Sequence, residues 1–317
     1  MVSRITYSPA YTLVPTYECF NHCSYCNFRV SPGQDSWLSL ASAKAILDKV
    51  EAIEILILSG EVHPRSSRRS SWLERIEQLC VMALESGFLP HTNVGPLSLQ
   101  EMQSLKLVNV SMGLMLEQLT PSLLKTVHRH APSKLPAVRL QQLTWAGQLR
   151  IPFTTGLLLG IGETRADWDA SLRAIATLHR RYGHIQEVIL QPHQPGASQQ
   201  LAGQPCDDAM LIAAVKCARA LLPEDIAIQI PPNLVSSPDT ILACIEAGVS
   251  DLGGIGPLDE VNPTYPHQRL GELSDLLLAH GYSLKPRLPI YPQYDHWLPL
   301  ALQNKIQPWR ARLDGKF

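Results

Sequence analysis

The chain has 317 residues, with 27 Lys and Arg against 28 Asp and Glu, for a formal net charge of −1. A near-neutral balance argues against a dedicated nucleic-acid binder, which carries a basic excess, and apolar runs such as 55–58 and 157–159 are far too short to span a bilayer. Charged residues make up 17%, below the usual level of about a quarter, which suits a compact enzyme with much buried surface.

Short apolar runs bounded by turn residues alternate with amphipathic stretches of helical length, the pattern of βα units around a parallel sheet. In chain order, strands are predicted at 12–16, 54–59, 89–93, 108–116, 153–159, 187–191, 227–230 and 251–254. Helices are predicted at 40–50, 71–85, 99–105, 137–146, 166–182, 207–222, 238–247 and 268–279. Eight of each make an α/β chain with a TIM-type (β/α) barrel. The Pro- and Ser-rich pieces 64–71, 191–205 and 286–299 are short, so residues 1–317 are expected to form a single domain. The active site of such a barrel gathers at the C-terminal ends of its strands. The N-terminus shows no apolar stretch followed by a small-residue cleavage site, and a cytoplasmic location is expected.

Seven cysteines in a cytosolic chain point to metal or redox chemistry before disulfides. Cys80, Cys206, Cys217 and Cys244 are scattered singly and read as small buried hydrophobes. Cys19, Cys23 and Cys26 instead form a C-x3-C-x2-C loop directly after the first predicted strand. Three thiolates on one short loop can hold three irons of a [4Fe–4S] cluster, and an iron left without a protein ligand marks catalysis. A structural zinc site completed by His22 or His63 is an alternative, although structural zinc prefers four protein ligands. A four-cysteine electron-transfer cluster is another, if the fold brings Cys80 close.

This spacing, with Tyr25 just before the last cysteine, resembles the signature of the radical S-adenosylmethionine (SAM) superfamily. The resemblance implies that SAM chelates the open iron and that one electron cleaves it to a 5′-deoxyadenosyl radical. It also implies that Tyr25 lies against the adenine. Gly60 and Glu61, after strand two, would meet the SAM amino group. Glu117, ending strand four, would accept the ribose hydroxyls, or it is a helix-starting acid. Arg139 would pair with the SAM carboxylate, and the segment 156–164, with Ile161 and Glu163, would flank the adenine. Glu163 also suits a helix N-terminus.

A narrower resemblance runs from about residue 7 to 294. Pro90-His91-Thr92-Asn93, His128-Arg129, Ile151-Pro152-Phe153-Thr154-Thr155-Gly156, Asp251-Leu252-Gly253-Gly254-Ile255 and Arg287-Leu288-Pro289-Ile290-Tyr291-Pro292 come in that order. Together they resemble the family of first subunits of 7,8-didemethyl-8-hydroxy-5-deazariboflavin synthase, the alternatives being the partner subunit that makes the adduct or another radical SAM enzyme acting on an aromatic substrate. That family works with a second radical SAM subunit, which joins tyrosine to a ribityl-diaminouracil. The first subunit closes the ring of the adduct with loss of ammonia, fed by an external low-potential electron donor. His91, Asn93, Arg129, Gln191 and Asp251 are the expected contacts to this small-molecule substrate. No nucleic acid or membrane is expected as a partner. A lid that shields the radical from water is expected, with 286–297 as its candidate. Ser59, Gln118 and Gly256 depart from the family pattern at positions peripheral to the cluster loop.

Overall fold

A computed structural model describes residues 3–197, 199 and 205–315. Part of the Pro-rich piece 191–205 and the last two residues of the tail lie outside the described residues. The apolar runs form β1 (Ser3–Leu13), β2 (Glu54–Leu58), β3 (Leu89–Asn93), β4 (Ser111–Gly113), β5 (Phe153–Leu159), β6 (Ile185–Pro192), β7 (Ala227–Gln229) and β8 (Asp251–Ile255). These eight pair in parallel, each with the next, and β1 bonds to both β8 and β2. The sheet therefore closes into a barrel, as the βα alternation predicts.

Between the strands run α1 (Leu40–Leu47), α2 (Arg69–Glu85), α3 (Leu99–Lys106), α4 (Pro136–Gln148), α5 (Arg165–Tyr182), α6 (Asp208–Leu221), α7 (Pro238–Glu246) and α8 (Leu270–Ala279). Their ends follow local chemistry. Ser98 and Glu101 form a capping box at the start of α3, Thr164 and Asp167 do so at α5, and Gly183 ends α5 with a left-handed φ of 65°. Every residue of β5 is buried, because a parallel strand is covered on both faces. Outward-facing Ile55 and Ile57 join Trp72 and Ile76 of α2 in the main apolar core, while the alternate residues of β2 face the barrel axis.

Three expectations are corrected. The first strand is Ser3–Leu13, not 12–16. Residues 16 and 17 already belong to the loop beyond it, where Asp35 accepts from Thr16 Oγ1 at 2.9 Å and from Tyr17 N at 2.7 Å. The fourth strand shrinks to Ser111–Gly113. Beyond it the chain rises to Glu117, whose φ is 65°.

The tail is not a lid. Beyond α8 the chain adds β9 (Tyr282–Pro286), paired with the Ser3–Tyr7 half of β1, and α9 (Leu300–Asp314). Leu288, Ile290 and Tyr294 pack with Ile53, Leu89 and Val110, and with Leu302 and Ile306 of α9. Ile53 and Leu89 lie where strands begin, so this segment floors the barrel opposite its mouth. Burial of its apolar side chains holds it there. No helix among the described residues is long and apolar enough to cross a membrane.

Candidate active site

The loop bearing Cys19, Cys23 and Cys26 is fastened to the loops after β2 and β4 by its backbone. Phe20 N donates to Glu61 O at 3.0 Å, His22 N to His130 O at 2.7 Å and Ser24 N to Val127 O at 3.1 Å. Asn21 completes the junction. Its Nδ2 donates to Glu61 Oε2 at 2.8 Å, and its Oδ1 accepts from Ser133 N at 3.1 Å. Gly60 lies so close to the start of this loop that a Cβ there would stand 2.2 Å from the carbonyl oxygen of Glu18. Only glycine permits that approach.

Two adjoining cavities open at the C-terminal ends of the strands. The outer one, about 1080 Å³, is lined by the three cysteines with Tyr25, Gly60, Glu61, Glu117, Lys134 and Arg139. The inner one, about 1140 Å³, follows the barrel axis and is lined by inward residues such as Glu54, Leu56 and Leu58 of β2 and Glu187, Ile189 and Gln191 of β6. Leu58, Asn93, Leu114, Met115, Gln191 and Val261 line both. A small molecule held in one therefore touches the wall of the other.

The outer cavity carries a network of buried charge. Arg139 is 1% exposed and uses three donors: Nε to Ser133 O at 2.9 Å, Nη1 to Met115 O at 3.1 Å and Nη2 to Glu61 Oε1 at 3.1 Å. Lys134 pairs with Glu117. Burial pushes the Glu117 carboxyl up, but Lys134 and Arg139 more than offset it and hold it below the ordinary carboxylate range. Burial raises the Cys23 thiol to about 12, with Lys134 pulling the other way. Tyr25 OH and His128 Nε2 are 3.0 Å apart, and burial lowers His128 to about 4, so this imidazole is neutral.

The inner cavity is polar on one side. His91 Nδ1 lies 2.7 Å from Ser111 Oγ, which donates its only proton to Pro289 O at 2.5 Å. The proton between His91 and Ser111 must therefore sit on Nδ1, leaving Nε2 as an acceptor. Burial, then the charge of Arg287, push His91 down to about 3. His91, Asn93 and Gln191 all line this cavity.

Three expected contacts fall elsewhere. Arg129 is exposed and lines neither cavity, whereas its neighbour His128 meets Tyr25. Asp251 is fully buried beneath the inner cavity and anchors Arg287, accepting from Nε at 2.6 Å and Nη2 at 2.8 Å. Glu163 turns back on its own loop, accepting from Gly160 N at 2.8 Å, Ile161 N at 2.9 Å and Trp168 Nε1 at 3.0 Å. Ile161 packs with Leu123, Val127, Leu158 and Tyr25 and so backs the Tyr25 ring. The sequence reading passed over Lys134, Glu54, Glu187 and Arg287. The available signal for Glu187 was a carboxylate inside a largely buried parallel strand.

A (β/α) barrel with three free thiols on the loop after its first strand, beside a cavity of paired cations and carboxylates, defines the class of radical SAM enzymes. Residues 13–175 match the Radical SAM superfamily. A 7,8-didemethyl-8-hydroxy-5-deazariboflavin synthase of Trichormus variabilis is 61% identical over 315 residues, covering 98% of this chain and 93% of that protein. One of Thermosynechococcus vestitus is 62% identical over 306 residues, covering 96% and 97%. Among solved structures, the FeFe-hydrogenase maturase HydG from Carboxydothermus hydrogenoformans shares the fold, with a TM-score of 0.73 at 18% identity over 96% of this chain and 70% of that one. The chain belongs to the radical SAM superfamily and, within it, to the family of 7,8-didemethyl-8-hydroxy-5-deazariboflavin synthases.

The superfamily's cofactors are a [4Fe–4S] cluster and SAM, and the donor set fits them. All three loop cysteines are free and line one cavity. Among the described residues no three His, Cys, Asp or Glu side chains close on a single metal ion. A multi-iron cluster does not require that closure, because each thiolate binds its own iron. The same cavity is lined by the cations Lys134 and Arg139 and the carboxylates Glu61 and Glu117, a mix of donors and acceptors that suits an amino acid ligand.

Proposed function

We propose that this protein is the ring-closing subunit of deazaflavin synthesis. It converts 5-amino-5-(4-hydroxybenzyl)-6-(D-ribitylimino)-5,6-dihydrouracil into 7,8-didemethyl-8-hydroxy-5-deazariboflavin with loss of ammonia, which makes it a carbon–nitrogen lyase. The observation that carries this reading is the pair of adjoining cavities, one lined by the three thiols and one lined by polar residues along the barrel axis. The full-length relatives named for this product support it.

When bound, the cluster and SAM supply a carbon-centred radical that removes hydrogen from the substrate. The chain does the rest. Cys19, Cys23 and Cys26 hold the cluster. Gly60 and Glu61 receive the SAM amino group, Arg139 and Lys134 its carboxylate, Glu117 its ribose, and Tyr25, backed by Ile161, its adenine. His91, Asn93 and Gln191 meet the uracil and phenol groups, with His91 Nε2 accepting a hydrogen bond. Leu58, Leu114 and Met115 wall the junction of the cavities and keep water from it. A second radical SAM subunit supplies the adduct, an external low-potential donor supplies the electron, and the reaction takes place in the cytoplasm.

An anaerobic turnover tests this. Protein reconstituted with iron and sulfide, given reductant, SAM and the adduct, is expected to yield deazaflavin fluorescence together with 5′-deoxyadenosine. Deoxyadenosine without deazaflavin would reject the substrate and keep the class. Neither product, from protein shown to hold a full cluster, would reject both.

A further inference from the structure

At the bottom of the inner cavity stand more carboxylates than the facing cation neutralises. Glu54 opens β2, Glu187 sits in β6, and both line the cavity with Arg287. Asp251 of β8 lies just beneath. Arg287 is the cation bonded to this group. It grips Asp251 through Nε at 2.6 Å and Nη2 at 2.8 Å, and Nη2 also reaches Glu187. Asp251 is further held by Thr6 Oγ1 at 2.5 Å, Gly253 N at 2.7 Å and Tyr291 OH at 3.3 Å. It is the saturated partner of the guanidinium. Glu187 keeps one further hydrogen bond, from Thr154 Oγ1 at 2.9 Å.

Of the other titratable groups facing this site, His91 of β3 is neutral and Tyr291, whose phenol burial raises well above its ordinary value, is neutral too, while Asp259, Glu260 and His267 line the same cavity from the segment after β8. Ser8 of β1 is the polar group beside Glu54. Glu54 and Glu187 are buried, at 7% and 4% exposure, and one guanidinium, bonded to both Asp251 and Glu187, faces three carboxylates. Three buried carboxylates around one cation do not all ionise, and with Asp251 saturated by donors the proton stays on Glu54 or Glu187. Their environment agrees. Burial, opposed by Arg287 and reinforced by Asp251 and Glu54, raises Glu187 to about 7, and burial raises Glu54 as well.

A separate observation marks the same cavity as a place that takes a polar ligand. Asn233, 9% exposed, lines it. Its Nδ2 is fixed by Asp259 Oδ2 and Tyr265 O, each at 2.9 Å, while its buried Oδ1 has no hydrogen-bond partner. A buried acceptor left in this state costs about 1–3 kcal/mol, and a bound donor satisfies it.

We propose that Glu54 and Glu187 act as one acid–base pair that drives the loss of ammonia. The inference rests on the proposed ring-closing function and adds to it the residues that move protons. In the elimination, the carboxylate takes the proton from the aryl carbon that ring closure has joined to nitrogen, and the aryl ring regains its aromaticity. The former benzylic carbon, which keeps its one remaining hydrogen, forms a double bond to the neighbouring uracil carbon, and the carbon–nitrogen bond there breaks with its electron pair on nitrogen. The carboxylic acid gives its proton to the departing amine, which leaves as ammonia. The pair ends with the one proton it began with, and no electron is gained or lost in this step.

The test is an anaerobic turnover of the full chain carrying Glu187→Gln or Glu54→Gln, with deoxyadenosine, ammonia and deazaflavin measured separately. Glutamine keeps the shape of either side chain and Arg287 keeps Asp251, so the barrel is expected to fold. Each variant is expected to form deoxyadenosine within about 3-fold of the parent and to lose ammonia release and deazaflavin about 100-fold or more, the scale of general acid–base catalysis. A ring-closed species that retains nitrogen accumulates. Glu187→Asp is expected to recover part of the rate with a shifted pH profile. Parental deazaflavin rates in both glutamine variants would overturn the proposal. So would an equal loss of deoxyadenosine and deazaflavin in folded protein, which marks a binding role. A parent protein that makes deoxyadenosine but no deazaflavin would instead overturn the ring-closing function, and this inference with it.

Discussion

Replacing Cys23 with alanine is expected to abolish formation of 5′-deoxyadenosine, a loss of about 1000-fold or more, while the barrel stays folded. Three thiols on one loop leave none to spare, and the loop is held from both sides by its backbone through Phe20, His22 and Ser24. The Cys23 side chain is buried within the loop, outside the main apolar core. Its loss to alanine should therefore cost at most about 1 kcal/mol of stability. The measurement pairs iron and sulfide content with deoxyadenosine yield and thermal unfolding. Cleavage of SAM at the parental rate by the reconstituted variant would remove Cys23 from the ligand set. Loss of folding in step with loss of iron would recast the site as a structural one, of the kind zinc provides.

The second large effect falls on stability. Arg139→Met is expected to destabilise the fold by about 3–5 kcal/mol, the range for breaking a buried ion pair by removing one partner. The guanidinium satisfies Ser133 O, Met115 O and Glu61 Oε1 together. Methionine fills much of the space but leaves the half-buried Glu61, its side chain 12% exposed, with Asn21 as its remaining side-chain donor, and leaves two carbonyls without it. Adding Glu61→Gln should recover part of the loss, because the orphaned charge is then gone. Urea unfolding of the single and double variants reads this directly. A single variant within about 1 kcal/mol of the parent would show that Arg139 contributes packing alone.

Strands with one strong local signal were legible in the sequence. β3 and β5 fall at the residues predicted, and the Leu157–Leu159 end of β5 is an apolar run closed by the turn at Gly160. β1 was hidden by its own composition. Pro9 and several polar residues break the apolar run, and proline demotes a strand reading. Pro9 is tolerated where β1 changes partners, and its carbonyl accepts from Ile53 N at 2.8 Å. β9 and the floor segment carry no periodic signal. Their place follows from long-range packing of Leu288 and Ile290, which no local window contains.

The site divides in the same way. The cysteine loop, Gly60, Glu117 and Arg139, singled out by motif and position, line one cavity. Lys134 hid in a 3-10 turn (Pro132–Lys134) that no pattern distinguishes from a surface loop. Arg129 was read in place of its neighbour His128, since one residue of rotation in a turn exchanges the exposed side chain for the buried one. Asp251 was expected to meet substrate but is buried against Arg287, which lies 36 residues further on, beyond what local sequence discloses.

The central claim is that this barrel takes hydrogen from the benzylic carbon of the tyrosine–uracil adduct. An adduct deuterated at the benzylic carbon, turned over once with unlabelled SAM in ordinary water, tests it most directly. Deazaflavin accompanied by 5′-deoxyadenosine carrying deuterium is the predicted result. Deazaflavin accompanied by unlabelled 5′-deoxyadenosine would contradict it and move the hydrogen abstraction to another atom.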